Sequence, residues 1–245
     1  MNITIDIGNT RTKIGVFDRD RLMDKVVMDG FDGVKVFEVA TNHDAKNIIF
    51  SSVSTVIDDA ILAKFQHQFQ TVIQLTADTP LPIENRYATP LTLGKDRLAA
   101  VVGAYALHGD EACLVIDAGT CITYDILAPG GKFIGGNISP GVELRLKAMH
   151  HFTQRLPLPE SRIVDSEWGN STEKALVNGA ILGVIFEMDG FIGRAKEEYG
   201  SLNTILTGGD ANIFGKTLKN EIFANSNLVL IGLNKILNYN VENSK

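Results

Sequence analysis

The feature that most constrains this chain is an echo between its two halves. Residues 3–17 read I-T-I-D-I-G-N-T-R-T-K-I-G-V-F, and residues 114–127 read L-V-I-D-A-G-T-C-I-T-Y-D-I-L. Each is an apolar strand, then an Asp-x-Gly-(Asn)-Thr turn, then a second, partly alternating strand, which is the pattern of a β-hairpin with a polar tip. Asp6 and Asp117 lie 111 positions apart in a chain of 245 residues, close to half its length. Duplication of one domain leaves such spacing, with two similar units each opening on a hairpin. Two unrelated hairpins leave the same trace, because Asp-Gly turns are common, so turn chemistry alone keeps both readings open.

Between the echoes, strand and helix signals alternate, which predicts an α/β fold. Residues 35–39, 47–51 and 72–75 read as strands, and residues 58–69 as a helix with Ile61, Leu62, Phe65 and Phe69 on its apolar face. Pro80, Pro82 and Pro90 mark a loop, followed by an alanine- and leucine-rich helix over residues 96–107. The glycine-dense stretch 130–141 is expected to be irregular, and residues 142–152 to be helical. Asn170 with Glu173 three residues on predicts a capping box opening a helix that runs to about residue 198. Within that helix Ala175, Gly179 and Gly183 recur every four residues on one face. Glycine costs about 1 kcal/mol in a helix interior, so the stripe should mark close approach of another backbone, either within the chain or from a second subunit.

Composition narrows the function classes. With 44% hydrophobic and 21% charged residues the chain has enough apolar side chain to build a core. Cys113 and Cys121 are its two cysteines, with no second pair to complete a structural zinc site, and are expected to be reduced thiols. With 23 basic and 29 acidic residues the net charge is −6, which offers no attraction to nucleic acid or to an anionic membrane. The first residues run into Ile3-Thr4-Ile5 without a basic leader, and no run is expected to reach a membrane span, so the expectation is a cytoplasmic, soluble protein. His150 and His151 are adjacent on a helix and point apart, so a metal pair is not expected, and Trp168, beside Gly169, is expected to pack, with lining of a pocket as the alternative.

Phosphate chemistry needs backbone amides with little side-chain bulk around them. There is no G-x-G-x-x-G, and Gly215-Lys216-Thr217 has Asp210 where a P-loop has its first glycine. What remains is Asp6-Ile7-Gly8-Asn9-Thr10-Arg11-Thr12-Lys13. Its glycine lets backbone approach phosphate, Asn9, Thr10 and Thr12 carry polar donors, Lys13 is a cation, and Asp6 suits a hydrated Mg²⁺. A plain surface hairpin is the alternative. Asp117-Ala118-Gly119-Thr120 repeats this chemistry, and the 207–210 turn (T-G-G-D) and the 135–141 loop (G-G-N-I-S-P-G) add two more backbone-rich tips. Gly94-Lys95-Asp96-Arg97 sits at a loop-to-helix junction, where a carboxylate and two cations meet helix amides. The bland reading there is a helix N-cap, with Asp96 capping and Arg97 solvated.

These motifs, in this order along most of the chain, resemble the type III pantothenate kinases of the actin-like ATPase superfamily. The Asp6 to Lys13 and Asp117 to Thr120 motifs are shared across that superfamily, while Gly94-x-Asp96-Arg97 is what makes the likeness specific. The resemblance implies two ribonuclease-H-like domains with a central cleft, here expected as residues 1–112 and 113–245. It implies ATP with Mg²⁺, a homodimer, and phosphorylation of pantothenate as the first committed step of coenzyme A synthesis. Carried over residue by residue, it makes Asp6, Ile7, Gly8, Asn9, Thr10, Arg11, Thr12 and Lys13 the ATP phosphate loop, with Thr120 a further ATP contact. Asp96 becomes the general base. Tyr87, Gly94, Lys95, Asp96, Arg97 and Thr172 become the pantothenate site, and Asp117 the ligand of a monovalent cation, K⁺ or NH₄⁺. Another actin-like phosphotransferase or phosphatase, and a non-catalytic ATP-binding regulator, are the alternatives.

Overall fold

Isoleucines at positions 3, 5 and 7 put one face of the first strand, β1 (Asn2–Ile7), into a core, and the polar turn after it folds β2 (Arg11–Asp18) back antiparallel. The computed structural model describes residues 1–8, 10–52, 57–215 and 217–243. It divides the chain into two units. The first is Met1–Glu111 with Leu127–Gly135 and Asn227–Lys245, and the second is Ala112–Ile126 with Gly136–Ser226.

In the first unit β3 (Arg21–Asp29) extends the meander, and β4 (Asn47–Ser52) and β5 (Thr71–Gln74) add in parallel, giving the order β3-β2-β1-β4-β5. Parallel pairing requires crossover helices. These are α1 (Gly33–Asn42) and α2 (Asp59–Gln68), whose Val36, Val39 and Phe65 pack with Ile3, Ile5 and Ile7. Residues 35–39, expected as a strand, therefore lie inside α1. Their valines favour strands, but Asp32 Oδ1 accepts from the amides of Val34 and Lys35, and Val36, Val39 and Ala40 are buried at helical spacing. Capping and burial outweigh propensity here.

The opposite face of this sheet carries α7 (Leu228–Asn243), which packs on β1, β2 and β4, with α3 (Lys95–His108) against α7 and β4. The two helices cross where neither has a side chain. A Cβ on Gly232 would lie 1.7 Å from the Ala99 carbonyl oxygen, and one on Gly103 2.3 Å from that of Leu228. Asn2 Nδ2 donates to Asn234 Oδ1 at 3.0 Å and to Asn238 Oδ1 at 2.7 Å, tying α7 to the start of β1. The C-terminal helix thus folds with the first unit, which differs from a single division at residue 112. A short strand, β6 (Glu84–Asn85), and a 3-10 turn (Pro90–Thr92) lead into α3.

The second unit repeats the topology. Its strands β7 (Cys113–Ala118), β8 (Cys121–Ala128), β9 (Lys132–Pro140), β10 (Asn203–Thr207) and β11 (Phe223–Ala224) run in the order β9-β8-β7-β10-β11, again third, second, first, fourth, fifth. The fourth and fifth are again parallel additions. The start of β9 belongs to the first unit, where Lys132 and Phe133 pair with β6. The glycine-dense stretch, expected to be irregular, is thus mostly strand. Gly136 makes this work, since a Cβ there would lie 2.0 Å from the Tyr124 carbonyl oxygen.

Helices α4 (Val142–Phe152) and α5 (Thr172–Tyr199) cover this sheet, burying Leu146, Val184, Met188 and Ile192 with Leu114 and Ile116; α6 (Ala211–Phe214) follows β10. The cap of α5 is Ser171, whose Oγ accepts from the Lys174 amide at 3.3 Å, not Asn170. By length and composition α5 could cross a membrane, but it carries Glu187 and Asp189 mid-helix, so the expectation of no long uncharged apolar run holds, and half of its most apolar window is buried inside the structure.

Candidate functional site

Asp6 lies one residue before the end of β1, on the face that Asn2 and Thr4 share by strand alternation, the face carrying α3 and α7. Lys13 stands opposite it across the β1–β2 pair, and Ser51 opposite it across the β1–β4 pair. Ser51 Oγ donates to Asp6 Oδ1 at 3.4 Å. Burial pushes the Asp6 carboxyl up from 3.8 to about 6; Lys13 pulls it down, the charge of Asp96 adds to the rise, and the Ser51 bond lowers it. Ser51 had no signal in the sequence, because only the parallel register brings it beside Asp6.

The other loop residues divide by strand parity. Ile7 and Thr12 face the far side of the sheet and are buried, and Thr12 Oγ1 has no hydrogen-bond partner among the described residues. Arg11 is exposed and lies 3.7 Å from Asp29. Gly8 donates its amide to the Arg11 carbonyl at 3.0 Å, so it closes the turn instead of presenting that amide outward. Thr10 is exposed, and Asn9 lies outside the described residues.

Gly94 caps α3 without a side-chain bond, and Lys95 and Asp96 form its first turn, half-buried. Asp96 Oδ1 accepts from the Arg97 amide at 2.9 Å. A Cβ on Gly94 would sit 2.5 Å from that same oxygen, so the glycine makes room for this carboxylate orientation. Arg97 is not solvated, as the bland reading had it, but 6% exposed, with its guanidinium carbon 5.4 Å from the centre of the Tyr87 ring. Tyr87 stacks on Phe133 at 5.9 Å and 13°, and its amide donates to Asn85 Oδ1 at 3.0 Å. Phe133 escaped the sequence reading because it lies in β9, far along the chain.

In the second unit three polar tips meet. Asp117 lies near the end of β7, and the Gly119 amide donates to Cys121 O at 3.0 Å, closing the turn much as Gly8 does. The Gly141 amide donates to Thr120 O at 3.0 Å, and a Cβ on Gly141 would lie 2.1 Å from Gly119 O. From the third tip, Asp210 N donates to Ala118 O at 3.0 Å beside Gly208, whose φ of +99° and 2.2 Å approach to Ala118 O suit only glycine. Burial, with a smaller push from Glu143, raises the Asp210 carboxyl. Thr120 is exposed at this junction. No group of three or more metal-ligating side chains occurs among the described residues.

Thr172 opens α5 and is exposed. Beyond its chain neighbours and the adjoining turns of its own helix, no described atom lies within 4 Å of a Cβ built on Gly179, and one on Gly183 meets only the Arg145 guanidinium at 3.6 Å. Close packing within the chain therefore does not explain the small-residue stripe. It borders a groove of about 440 Å³ in the second unit, rimmed by Trp168, Leu182 and Phe186. Trp168 is 86% exposed, a correction to its expected packing. His150 Nδ1 lies 2.8 Å from Leu156 O, and His151 stands edge-on to Phe152.

Two sheets of the same strand order, each opening on an Asp-x-Gly hairpin, place the chain in the class of two-domain ribonuclease-H-like proteins that includes the actin-like ATPases and sugar kinases. Solved structures agree. A ROK hexokinase from Thermus thermophilus superposes with a TM-score of 0.59 at 15% identity, over 98% of this chain and 99% of that one. A Campylobacter jejuni protein described as a conserved candidate transcriptional activator of the Baf family gives 0.60 at 22%, over 98% and 99%. Within this class, the family model of the type III pantothenate kinases matches residues 2–194. A type III pantothenate kinase from Bacteroides fragilis is 45% identical over 243 residues, covering 98% of each chain. The chain belongs to the type III pantothenate kinase family.

Proposed function

We propose that this chain transfers the γ-phosphoryl group of ATP to the primary hydroxyl of pantothenate in the cytoplasm, opening coenzyme A synthesis, with Asp96 as the general base. Family membership carries the activity. The observation that supports the residue roles is the placement of Asp6 and Asp96 on one face of the first unit, near enough for the charge of one to raise the carboxyl of the other.

Phosphoryl transfer proceeds through a loose transition state, so alignment and charge neutralisation do most of the work. Asp96 orients the acceptor hydroxyl and takes its proton as the oxygen bonds to phosphorus and ADP leaves. Lys13, in register with Asp6, supplies positive charge beside the phosphates. Arg97, held under Tyr87, is the cation for the pantothenate carboxylate, with Gly94, Lys95 and Thr172 as further contacts. Thr10 and Thr120, both exposed, carry hydroxyls as further ATP contacts. One buried carboxylate with a hydroxyl beside it fits a Mg²⁺ that keeps most of its waters; bound there, Mg²⁺ would neutralise phosphate charge. Asp117, with carbonyl oxygens at the same turn, suits a monovalent cation better than a stripped divalent one. The open stripe on α5, with Trp168 and Phe186 exposed beside it, supports a second copy of the chain as its partner.

Purified protein with ATP, Mg²⁺ and pantothenate should yield phosphopantothenate by mass spectrometry, faster in K⁺ than in Na⁺. Asp96→Asn should lower turnover about 100- to 10,000-fold while leaving ATP binding intact. Phosphorylation of some other acceptor in place of pantothenate, or ATP binding with no turnover at all, would refute the assignment.

A further inference from the structure

Glu187 is a carboxylate in the middle of the long, largely apolar helix α5, beside the buried residues Val184, Ile185 and Met188. Three elements of the second unit send donors to it. Tyr124 OH from β8 reaches Oε1 at 2.8 Å, Ser139 Oγ from β9 bonds the same oxygen, and Arg145 Nη2 from α4 reaches Oε2 at 2.5 Å. Arg145 also donates Nε to the Pro140 carbonyl at 2.7 Å. Burial raises the Glu187 carboxyl, but the bonds from Ser139, Arg145 and Tyr124 outweigh it and hold the group below the usual carboxylate range. The same burial, followed by the bonded carboxylate, pushes the Tyr124 hydroxyl well above its ordinary value, so it stays a donor.

The segment that Glu187 grips is the one that touches the second hairpin. Ser139 and Pro140 are held from the α5 and α4 side, and the next residue, Gly141, bonds Thr120 O and packs on Gly119 O. Shifting 139–141 must therefore shift the 119–120 turn, because there is no slack at Gly141 to absorb the movement. We propose that Glu187 is a positioning residue that fixes the Gly119–Thr120 turn through Ser139, Arg145 and Gly141, and so sets affinity for ATP and for the monovalent cation. This rests on the reading above of Asp117 and Thr120 as the contacts for those two ligands. Glu187 itself touches neither.

The test uses the full chain, with initial rates against ATP, K⁺ and pantothenate, and ATP binding by calorimetry. Glu187→Ala should raise the KM for ATP and the half-saturating K⁺ concentration about tenfold or more. The KM for pantothenate should stay within about twofold, and calorimetric ATP affinity should fall in step with KM. Glu187→Gln, which keeps the acceptor for the two hydroxyls but not the charge facing Arg145, should recover part of the loss. A purely structural role would lower the folded fraction, and with it the apparent kcat, while leaving every KM unchanged; that result overturns the proposal. So does an equal rise in the pantothenate KM. If Glu187→Ala does not fold, Ser139→Ala and Arg145→Lys carry the same expectation, and unchanged ATP affinity in both overturns it. Should the wild type fail to phosphorylate pantothenate, the proposed function falls, while calorimetry still decides whether Glu187 positions a nucleotide site.

Discussion

Replacing Asp6 with asparagine is expected to make the unliganded protein more stable at neutral pH while removing its activity. The Asp6 carboxyl is raised from 3.8 to about 6, chiefly by burial, and this net rise already includes the opposing pull of Lys13. The folded chain thus holds the Asp6 proton more tightly than the unfolded chain does. Stability from this group is fully present below pH ~4 and is lost as pH rises through about 6. A shift of about two units corresponds to about 3 kcal/mol at pH 7.5. Asparagine has no charge to bury, so the variant escapes that loss, and for a chain of this size its melting temperature should rise by roughly 6–12 °C. Thermal or urea unfolding of both proteins at pH 7.5, 6 and 5 checks the sign and slope, since the gap should shrink by about 1.4 kcal/mol per pH unit below pH ~6. Mg²⁺ and ATP together should stabilise the wild type and not the variant. An Asp6→Asn protein that is less stable at pH 7.5, or a gap that ignores pH, would refute the reasoning.

Three further substitutions probe other parts of the argument. Gly94 has φ −56°, which alanine tolerates, so Gly94→Ala should alter stability by less than about 1 kcal/mol. Its Cβ would nevertheless displace Asp96 Oδ1, and kcat should fall about 100-fold; a wild-type kcat would show that this carboxylate position does not matter. Gly232→Ala should cost about 3 kcal/mol or more in unfolding experiments, because its Cβ has no space against Ala99, and an unchanged melt would contradict the α3–α7 crossing. Gly179→Trp adds bulk where the chain has open space, so folding should survive while light scattering shows monomers; a variant that stays dimeric would remove α5 as the interface.

Much of the candidate site is legible in the sequence, because its parts are local. The Asp-x-Gly turns announce themselves over eight residues at Asp6–Lys13 and four at Asp117–Thr120, and both appear at strand ends as expected. The helix starting beside Asp96 was equally plain from its alanine and leucine run. Expectations failed where distant contacts set the outcome. Valines read as a strand became α1 because a cap and a buried face were available. A glycine-rich stretch became β9 because Gly136 let it lie against Tyr124 O. Phe133 under Tyr87, Ser51 beside Asp6, and Glu187 behind Ser139 carry no pattern in the chain at all.

The sequence by itself determined the two Asp-x-Gly hairpins and the chemistry of their tips, since alternation and turn residues act over a few neighbours and leave a visible period, while the matching strand orders that make them a repeated topology came from the structure. Only the tertiary structure decided which partner each tip meets, whether Arg97 is solvated or sheathed by an aromatic ring, and which unit takes the last helix. Those outcomes depend on register and on close backbone approach between segments far apart in the chain. Their free energies come from burial and electrostatics at contacts that no local window contains.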